Sequence, residues 1–247
     1  MPQYFTNSEC IPGESVSITG KDYHHLTHVR RVRTGDGVYL RDANGDLYAG
    51  WIARIDEDSI LVEVASRCGN GKSSPEIILG MSLLKGSNFD LVVQKAVEVG
   101  VSSIVPLVTE RTIVELKGKD NEKRERWRKI AEEASKQSMR DSLPVVEHPM
   151  TFDDFLKAHA DVPVRIITAP GERDYTLRSA LEQQKGNRAA LLVGPEGGFS
   201  ADEILRAEAA GFICVVVGST QMRAETAGIV LPALLRYELE ARFGDER

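Results

Sequence analysis

Two stretches toward the C-terminal end of the sequence combine residue types and spacings that could do chemistry. The first is Leu191-Leu192-Val193-Gly194-Pro195-Glu196-Gly197-Gly198-Phe199-Ser200, an apolar run that opens into glycines. Glycines beyond the carboxyl end of a buried strand let a ligand approach the main chain, and a helix start just after them offers N–H donors. Ser200 and Glu203 have the spacing of a capping box, which marks such a helix start. The second stretch is Ile213-Cys214-Val215-Val216-Val217, running into Gly218-Ser219-Thr220-Gln221-Met222-Arg223-Ala224-Glu225-Thr226-Ala227. Arg223 and Glu225 follow this strand's exit, where a cation could meet developing negative charge and a carboxylate could position or deprotonate a substrate. Plainer readings stand beside these: glycines that only make tight turns, and an Arg223–Glu225 ion pair that only caps a helix. Neither loop has the G-x-G-x-x-G or G-x-x-x-x-G-K-[ST] pattern, and no Gly-x-Ser-x-Gly elbow occurs.

A third constellation lies near the other end. His24, His25 and His28 precede Arg30, Arg31 and Arg33. No carboxylate or cysteine completes a metal-ligand set among them, so no metal is expected. Contact with phosphates or base edges suits the mixture, and a solvated loop is the competing reading. The overall net charge of −6 opposes a nucleic-acid partner. The local distribution does not, since residues 21–41 carry a net +3 and residues 111–140 a net +4. Cys10, Cys68 and Cys214 are odd in number and far apart, which argues against a disulfide framework and for a reducing, cytoplasmic setting. The opening Met1-Pro2-Gln3-Tyr4-Phe5 lacks the features of a signal peptide, and no stretch is long and apolar enough for a membrane span.

The elements that must position these residues divide into two grammars. Residues 1–70 read as a small β domain. It contains a strand over Val38–Arg41, an Asn44-Gly45 hairpin signal and a strand over Leu47–Ile55, followed by Ile60, Val62 and Val64 on one strand face. Residues 22–33 read as a helical turn or loop. The polar run Gly69-Asn70-Gly71-Lys72-Ser73-Ser74-Pro75 reads as a linker. Residues 71–247 then alternate strands with helices: strands at 77–84, 104–108, 164–168, 189–193 and 213–217, and helices after 87, from about 121, and over 151–160, 176–184 and 225–242. The continuous apolar runs suit strands buried on both faces, so the expected class is α/β with a mostly parallel sheet.

Taken in order, these motifs resemble the signature of a bacterial rRNA methyltransferase family, whose members methylate N3 of a uridine in 16S rRNA and belong to the SPOUT superfamily. The resemblance rests on the two loops together with Lys85-Gly86, residues 94–101, Ile104-Val105-Pro106-Leu107, Thr109-Glu110-Arg111-Thr112, Arg126-Trp127, and Lys136-Gln137-Ser138-Met139-Arg140. In the N-terminal region it rests on residues 25–36. It covers nearly the whole chain. Departures occur at Thr220 and Gln221-Met222, where the family commonly has an arginine and an Ile-Leu pair, and at Val29-Arg30-Arg31, commonly Val-Leu-Arg.

The resemblance implies a trefoil-knotted SPOUT domain over residues 71–247 and a PUA-like β-barrel over 1–70. Residue patterns alone would have suggested an unthreaded doubly wound sheet. It implies S-adenosylmethionine (SAM) as cofactor, held in loops near 168–172, 194–200 and 218–224. The candidate cofactor residues are Thr168, Gly194, Pro195, Glu196, Gly197, Gly198, Gly218, Ser219 and Met222. Arg223 and Glu225 are the candidate catalytic residues, and His28, Arg30, Arg31, Arg33, Lys85 and Arg111 the candidate RNA contacts. The implied partners are 16S rRNA or the small ribosomal subunit and a second copy of the chain, with no membrane and no metal. Rival readings are a related enzyme acting on another base or on a ribose 2′-OH, a Rossmann-like methyltransferase or nucleotide enzyme, and a non-catalytic RNA-binding protein. Lys85-Gly86-Ser87 is not the glycine loop a Rossmann-like enzyme would carry after its first α/β strand.

Overall fold

The structure is a computed structural model that describes residues 3–6, 8–69, 75–114, 118–138, 140, 142–169 and 175–243. The chain divides into two compact units, one of residues 1–73 with 136–142 and one of residues 74–135 with 143–247. Most of the expected linker, residues 70–74, lies outside the described residues, as do positions 170–172 of the first implied cofactor loop.

The first unit contains strands β1 (Gln3–Phe5) and β2 (Ser15–Thr19), helix α1 (Gly20–His24), a π-helical turn (His25–Val29), and strands β3 (Gly37–Arg41), β4 (Leu47–Ile55) and β5 (Ser59–Gly69). They form one sheet in the order β1-β3-β4-β5-β2, antiparallel except where β1 runs alongside β3. Ile60, Val62 and Val64 all face the core, as period-two alternation requires, and pack with Tyr4, Leu26, Leu40 and Ile52. The β3–β4 hairpin is closed by Asp42, whose carboxylate accepts from the N–H groups of Asn44 (2.9 Å) and Asp46 (3.0 Å).

The second unit opens with β6 (Glu76–Ser82), α2 (Asn88–Glu98), β7 (Ser103–Val108), α3 (Asp120–Gln137) and the short strands β8 (Val145–Val146) and β9 (Met150–Thr151). It continues with α4 (Phe152–Ala158), β10 (Val164–Thr168), α5 (Leu177–Gln183), β11 (Arg188–Val193), α6 (Ala201–Ala209), β12 (Ile213–Val215) and α7 (Ala224–Phe243). The strands form a parallel sheet in the order β12-β10-β11-β6-β7-β8, with β9 also on β7. Helices cover both faces. Residues of α2, α3, α5 and α7 share one core with Leu79, Met81 and Leu191, while α4 and α6 share another with Ile78, Leu192 and Cys214. Burial on both faces explains why these strands read as unbroken apolar runs.

Two strands are shorter than their apolar runs. The run expected as a strand over 213–217 pairs only to Val215, because the Val216 N–H turns away to the carbonyl of Tyr175 (3.1 Å). In the run over 77–84 the strand ends at Ser82, and the Leu83 N–H makes one last bond to β7, to the Leu107 carbonyl (3.0 Å).

Candidate functional site

The register of the sheet brings three strand exits together. Thr168 at the end of β10 stands opposite Val193 of β11 on one side and Val215 of β12 on the other. The loops that follow β11 and β12, with Thr168 and Ala169 at the exit of β10, therefore open on one edge of the sheet. They enclose a cleft of about 1040 Å³ whose lining includes Thr168, residues 193–199 and 215–225, Arg111 and Asn88.

Each of the loops is built differently. The loop after β11 is fixed by its own bonds. Gly198 N–H donates to the Pro195 carbonyl (2.8 Å), and a Cβ on Gly194 would stand only 3.2 Å from the Gly198 carbonyl carbon and from Phe199. Phe199 is buried and packs on Phe152, with ring centroids 5.5 Å apart. Ser200 then caps α6, its hydroxyl accepting from Glu203 N–H (3.2 Å) while the Glu203 carboxylate accepts from Ser200 N–H (2.9 Å). The other Glu203 oxygen accepts from Glu110 N–H (2.8 Å), in the turn after β7. From that same turn the Arg111 guanidinium donates to the Gly197 carbonyl (2.8 Å). The Glu196 carboxylate accepts from Lys85 N–H (3.2 Å), which brings in the loop after β6.

The loop after β12 is open by contrast. Ser219, Thr220 and Gln221 are exposed, and Met222 packs partly against the core. The Arg223 side chain is 86% exposed, and its nearest carboxylate contact is Glu225 at 4.0 Å. An ion pair at that distance and exposure contributes little to stability. The Arg223 carbonyl accepts from Ala227 N–H (2.9 Å), so the residue begins α7 through its backbone while its side chain stands in solvent.

Gly198 and Gly218 both take left-handed backbone angles, φ +67° and +76°, and a Cβ at either would meet nothing within 4 Å. The conformation requires glycine there, and the space beside each main chain is open.

The first unit carries the basic segment. Buried Leu26 anchors it, the rings of His24 and His28 stack at 4.1 Å, and His28 Nδ1 lies 2.8 Å from Thr27 Oγ1. Arg31 stands at φ +52°, an uncommon angle for a side-chain-bearing residue. His28, Arg30, Arg31 and Arg33 are all exposed, as is Val29. π-helical turns recur at functional sites, because the inserted residue re-aims the side chains around it.

The sequence-derived cofactor residues Thr168, Gly194, Pro195, Glu196, Gly197, Gly198, Gly218, Ser219 and Met222 all line the cleft, together with Arg223 and Glu225. Of the six expected RNA contacts, Arg111 lines the cleft, Lys85 touches its wall through its N–H group, and the other four belong to the first unit. Sequence reasoning missed Asn88, the apolar lining from Ile204, Ala227 and Leu231, and the second partner of Glu203. The S-x-x-E spacing signals Glu203 as a cap, but its bond to residue 110 has no local signature. Among the described residues no three His, Cys, Asp or Glu side chains come together as a metal site, and no helix is long and apolar enough to cross a membrane.

Comparison with known proteins adds to this geometry. Residues 72–236 match the family model described as RNA methyltransferase domain, and residues 18–65 match one described as RNA methyltransferase PUA domain. The chain is 32% identical over 239 residues to ribosomal RNA small subunit methyltransferase E of Synechocystis, covering 94% of this chain and 76% of that one. It is 27% identical to the Bacillus subtilis protein of the same name, over the full length of both. The crystal structure of the Neisseria gonorrhoeae ribosomal RNA small subunit methyltransferase E bound to S-adenosyl methionine superposes with a TM-score of 0.84 at 27% identity, covering 96% of this chain and 97% of that one.

Proposed function

We propose, from the premise that this chain belongs to the RNA methyltransferase domain family, that it methylates N3 of a uridine in 16S rRNA with SAM as methyl donor. The observation that carries this reading is the cleft at the exits of β10, β11 and β12, with Arg223 free on its wall. The cleft fits the cofactor. Its volume suits a ligand of that size, its walls are largely apolar, and open space lies beside the main chain at Gly198 and Gly218. Thr168, Gly194–Gly198, Gly218, Ser219 and Met222 would hold it. When bound, SAM supplies an activated methyl group on a sulfonium centre.

The chain's own residues have the remaining work. N3 of uracil lies on the Watson–Crick edge, so the base must be unpaired or flipped out to be reached. Its proton must leave, and negative charge develops on the ring as it does. Arg223 is placed to meet that charge, and Glu225 to position the base or take the proton. The exposed arginines at positions 30, 31 and 33, with His28, supply sequence-independent attraction for the RNA backbone. Lys85 and Arg111 extend that attraction to the cleft.

The reading includes a PUA-like domain over residues 1–70 and a knotted SPOUT domain over 71–247. It also includes a homodimer, supported by the apolar side chains of Leu234 and Tyr237 left exposed on α7. An rRNA substrate places the reaction in the cytoplasm. The test is nucleoside mass spectrometry of 16S rRNA from cells with and without the gene. Loss of 3-methyluridine, restored by the wild-type gene, is expected. Loss of a ribose-methylated or other base-methylated nucleoside instead would replace the target, and an unchanged nucleoside profile would overturn the enzymatic reading.

A further inference from the structure

Glu203 has more to do than a helix cap requires. It is 1% exposed, and its two carboxylate oxygens face two different main-chain donors: Ser200 N–H at 2.9 Å and Glu110 N–H at 2.8 Å. The first bond completes the capping box of α6. The second reaches 93 residues back along the chain, to the turn after β7. That turn is braced at its other side by Thr112, whose hydroxyl accepts from Thr109 N–H (2.9 Å) and lies 2.8 Å from Thr109 Oγ1. Arg111 is the residue between these two fixed points. Its guanidinium donates to the Gly197 carbonyl at 2.8 Å, and its Cβ and Cδ lie 3.5 Å from where a Gly197 side chain would begin.

An ionised carboxylate is the side-chain group that suits this place. It offers acceptor lone pairs on both oxygens, whereas an amide of the same shape presents one acceptor and one donor and would oppose one of the two N–H groups. The Ser200 N–H is buried and costly to leave without its acceptor, and the bond to Glu110 N–H ties the second loop to the same carboxylate, so the pair holds both loops to one arrangement.

We infer that Glu203 is a positioning residue that acts through Arg111, locking the 109–112 turn against the glycine loop so that the Arg111 guanidinium is fixed on the wall of the methyl-transfer cleft for the incoming RNA. The inference rests on the reading of the cleft as a SAM and RNA site. The turn over 195–198 closes through its own Gly198–Pro195 bond, so Glu203 governs the RNA side of the cleft and leaves cofactor binding to that turn.

The test uses the full-length protein, small ribosomal subunits from cells lacking the gene as RNA probe, and the variants Glu203→Gln, Arg111→Ala and the pair combined. Glu203→Gln keeps the volume and should fold. Hydrogen exchange at the Glu110 or the Ser200 amide, whichever faces the new amide nitrogen, should quicken in it, a readout that needs no activity and separates failure of this inference from failure of the functional reading. Its kcat/KM for subunits should fall roughly 10²-fold, the size of the loss when a positioned group shifts by about 1 Å. The SAM dissociation constant should stay near the wild-type value. Arg111→Ala should show a similar loss, and the double variant should lose no more than either alone, because the two residues act as one unit. Three results would overturn the inference: unchanged exchange at both the Glu110 and Ser200 amides, losses that multiply in the double variant, or SAM affinity falling in step with kcat/KM.

Discussion

The loop after β11 and the loop after β12 line the same cleft, begin at strand exits on either side of β10 and each carry a left-handed glycine. They are nevertheless held very differently. The first is tied within itself by the Gly198–Pro195 bond and the Phe199 anchor, while bonds from Arg111, Glu110 and Lys85 join its outer side to the loops after β7 and β6. The second departs early from its strand, exposes three successive polar residues and leaves Arg223 with one loose carboxylate contact. A cofactor cradle gains from being formed in advance, because ordering it on binding would subtract from affinity. A side chain that must meet a base delivered by a large RNA can be ordered when the RNA arrives. On the proposed function, the contrast is one between a preformed cofactor wall and an adaptable reacting wall.

The most severe break in that picture is Arg223→Ala. Removing one donor to developing charge typically lowers rate by about 10²–10³, and single-turnover methylation should fall by that order while SAM binding holds. Lysine should restore part of the rate, since it keeps the charge but not the planar fork. The melting temperature should not move, because a contact of 4.0 Å from an 86% exposed side chain carries little stability. A normal rate with an earlier melt would make Arg223 a helix-terminal ion pair and nothing more.

Paired glycine substitutions sharpen the comparison directly. Gly198→Ala and Gly218→Ala impose a similar backbone penalty of about 1–2 kcal/mol for a side chain at left-handed φ. In the tied loop the penalty has no outlet, so Gly198→Ala should weaken SAM binding about tenfold. The open loop after β12 can relax, and Gly218→Ala should cost less. Calorimetric titration with SAM measures both, and the opposite ranking would reverse the assignment of the rigid wall.

A third kind of surface is the basic segment of the first unit, where a buried leucine and a π turn fix the backbone while the charged side chains stay in water. Arg30→Ala combined with Arg31→Ala should weaken RNA binding several-fold. It should also flatten the salt dependence, by about 0.7 to 0.9 in log–log slope for each phosphate that is no longer neutralised. SAM affinity should be untouched. An unmoved salt slope would leave the segment as solvated surface.

How much of this was legible in the sequence follows from where the information lies. The strands Leu47–Ile55 and Val164–Thr168 match expectation to the residue, because each is an apolar-rich segment between turn-forming residues, Asp46 and Asp56 for one and Pro163 and Pro170 for the other. The capping box at Ser200 was legible because both partners lie within four residues. β8 and β9, two residues each, are made by pairing to β7 and carry no pattern of their own. The early end of β12 depends on a carbonyl at Tyr175, and the second role of Glu203 on an amide at Glu110. Contacts of that separation are set by the path of the chain, which no local window contains. The cleft's glycines were visible for the opposite reason, since their need for space or unusual φ is a property of each residue alone.

The smallest expected effect lies away from both loops and tests whether the sheet itself, as distinct from the cleft, responds to pH. His159 follows α4, its ring centroid lies 4.3 Å from that of Phe155, and neither ring nitrogen has a hydrogen-bond partner among the described residues although both are buried. Burial lowers its pKa below the ordinary histidine value, and the Arg188 charge lowers it further. Asp161, Glu147 and Glu76 oppose these effects without reversing them. The folded state therefore holds its proton less tightly than the unfolded chain, whose histidine titrates near pH 6.5. Above that pH the ring is neutral in both states and the full stability is present. As pH falls from about 6.5 toward the lowered folded value, the unfolded chain takes up the proton first and stability declines. His159→Phe removes the titrating group and keeps an aromatic ring against Phe155. Urea midpoints should then separate with pH, the wild type losing more than the variant between about pH 7.5 and 5.5. Methylation at pH 7.5 should be equal in the two proteins. Parallel pH profiles would remove His159 from the account of acid sensitivity, and a loss of methylation in the variant would mean that the far side of the sheet is coupled to the cleft after all.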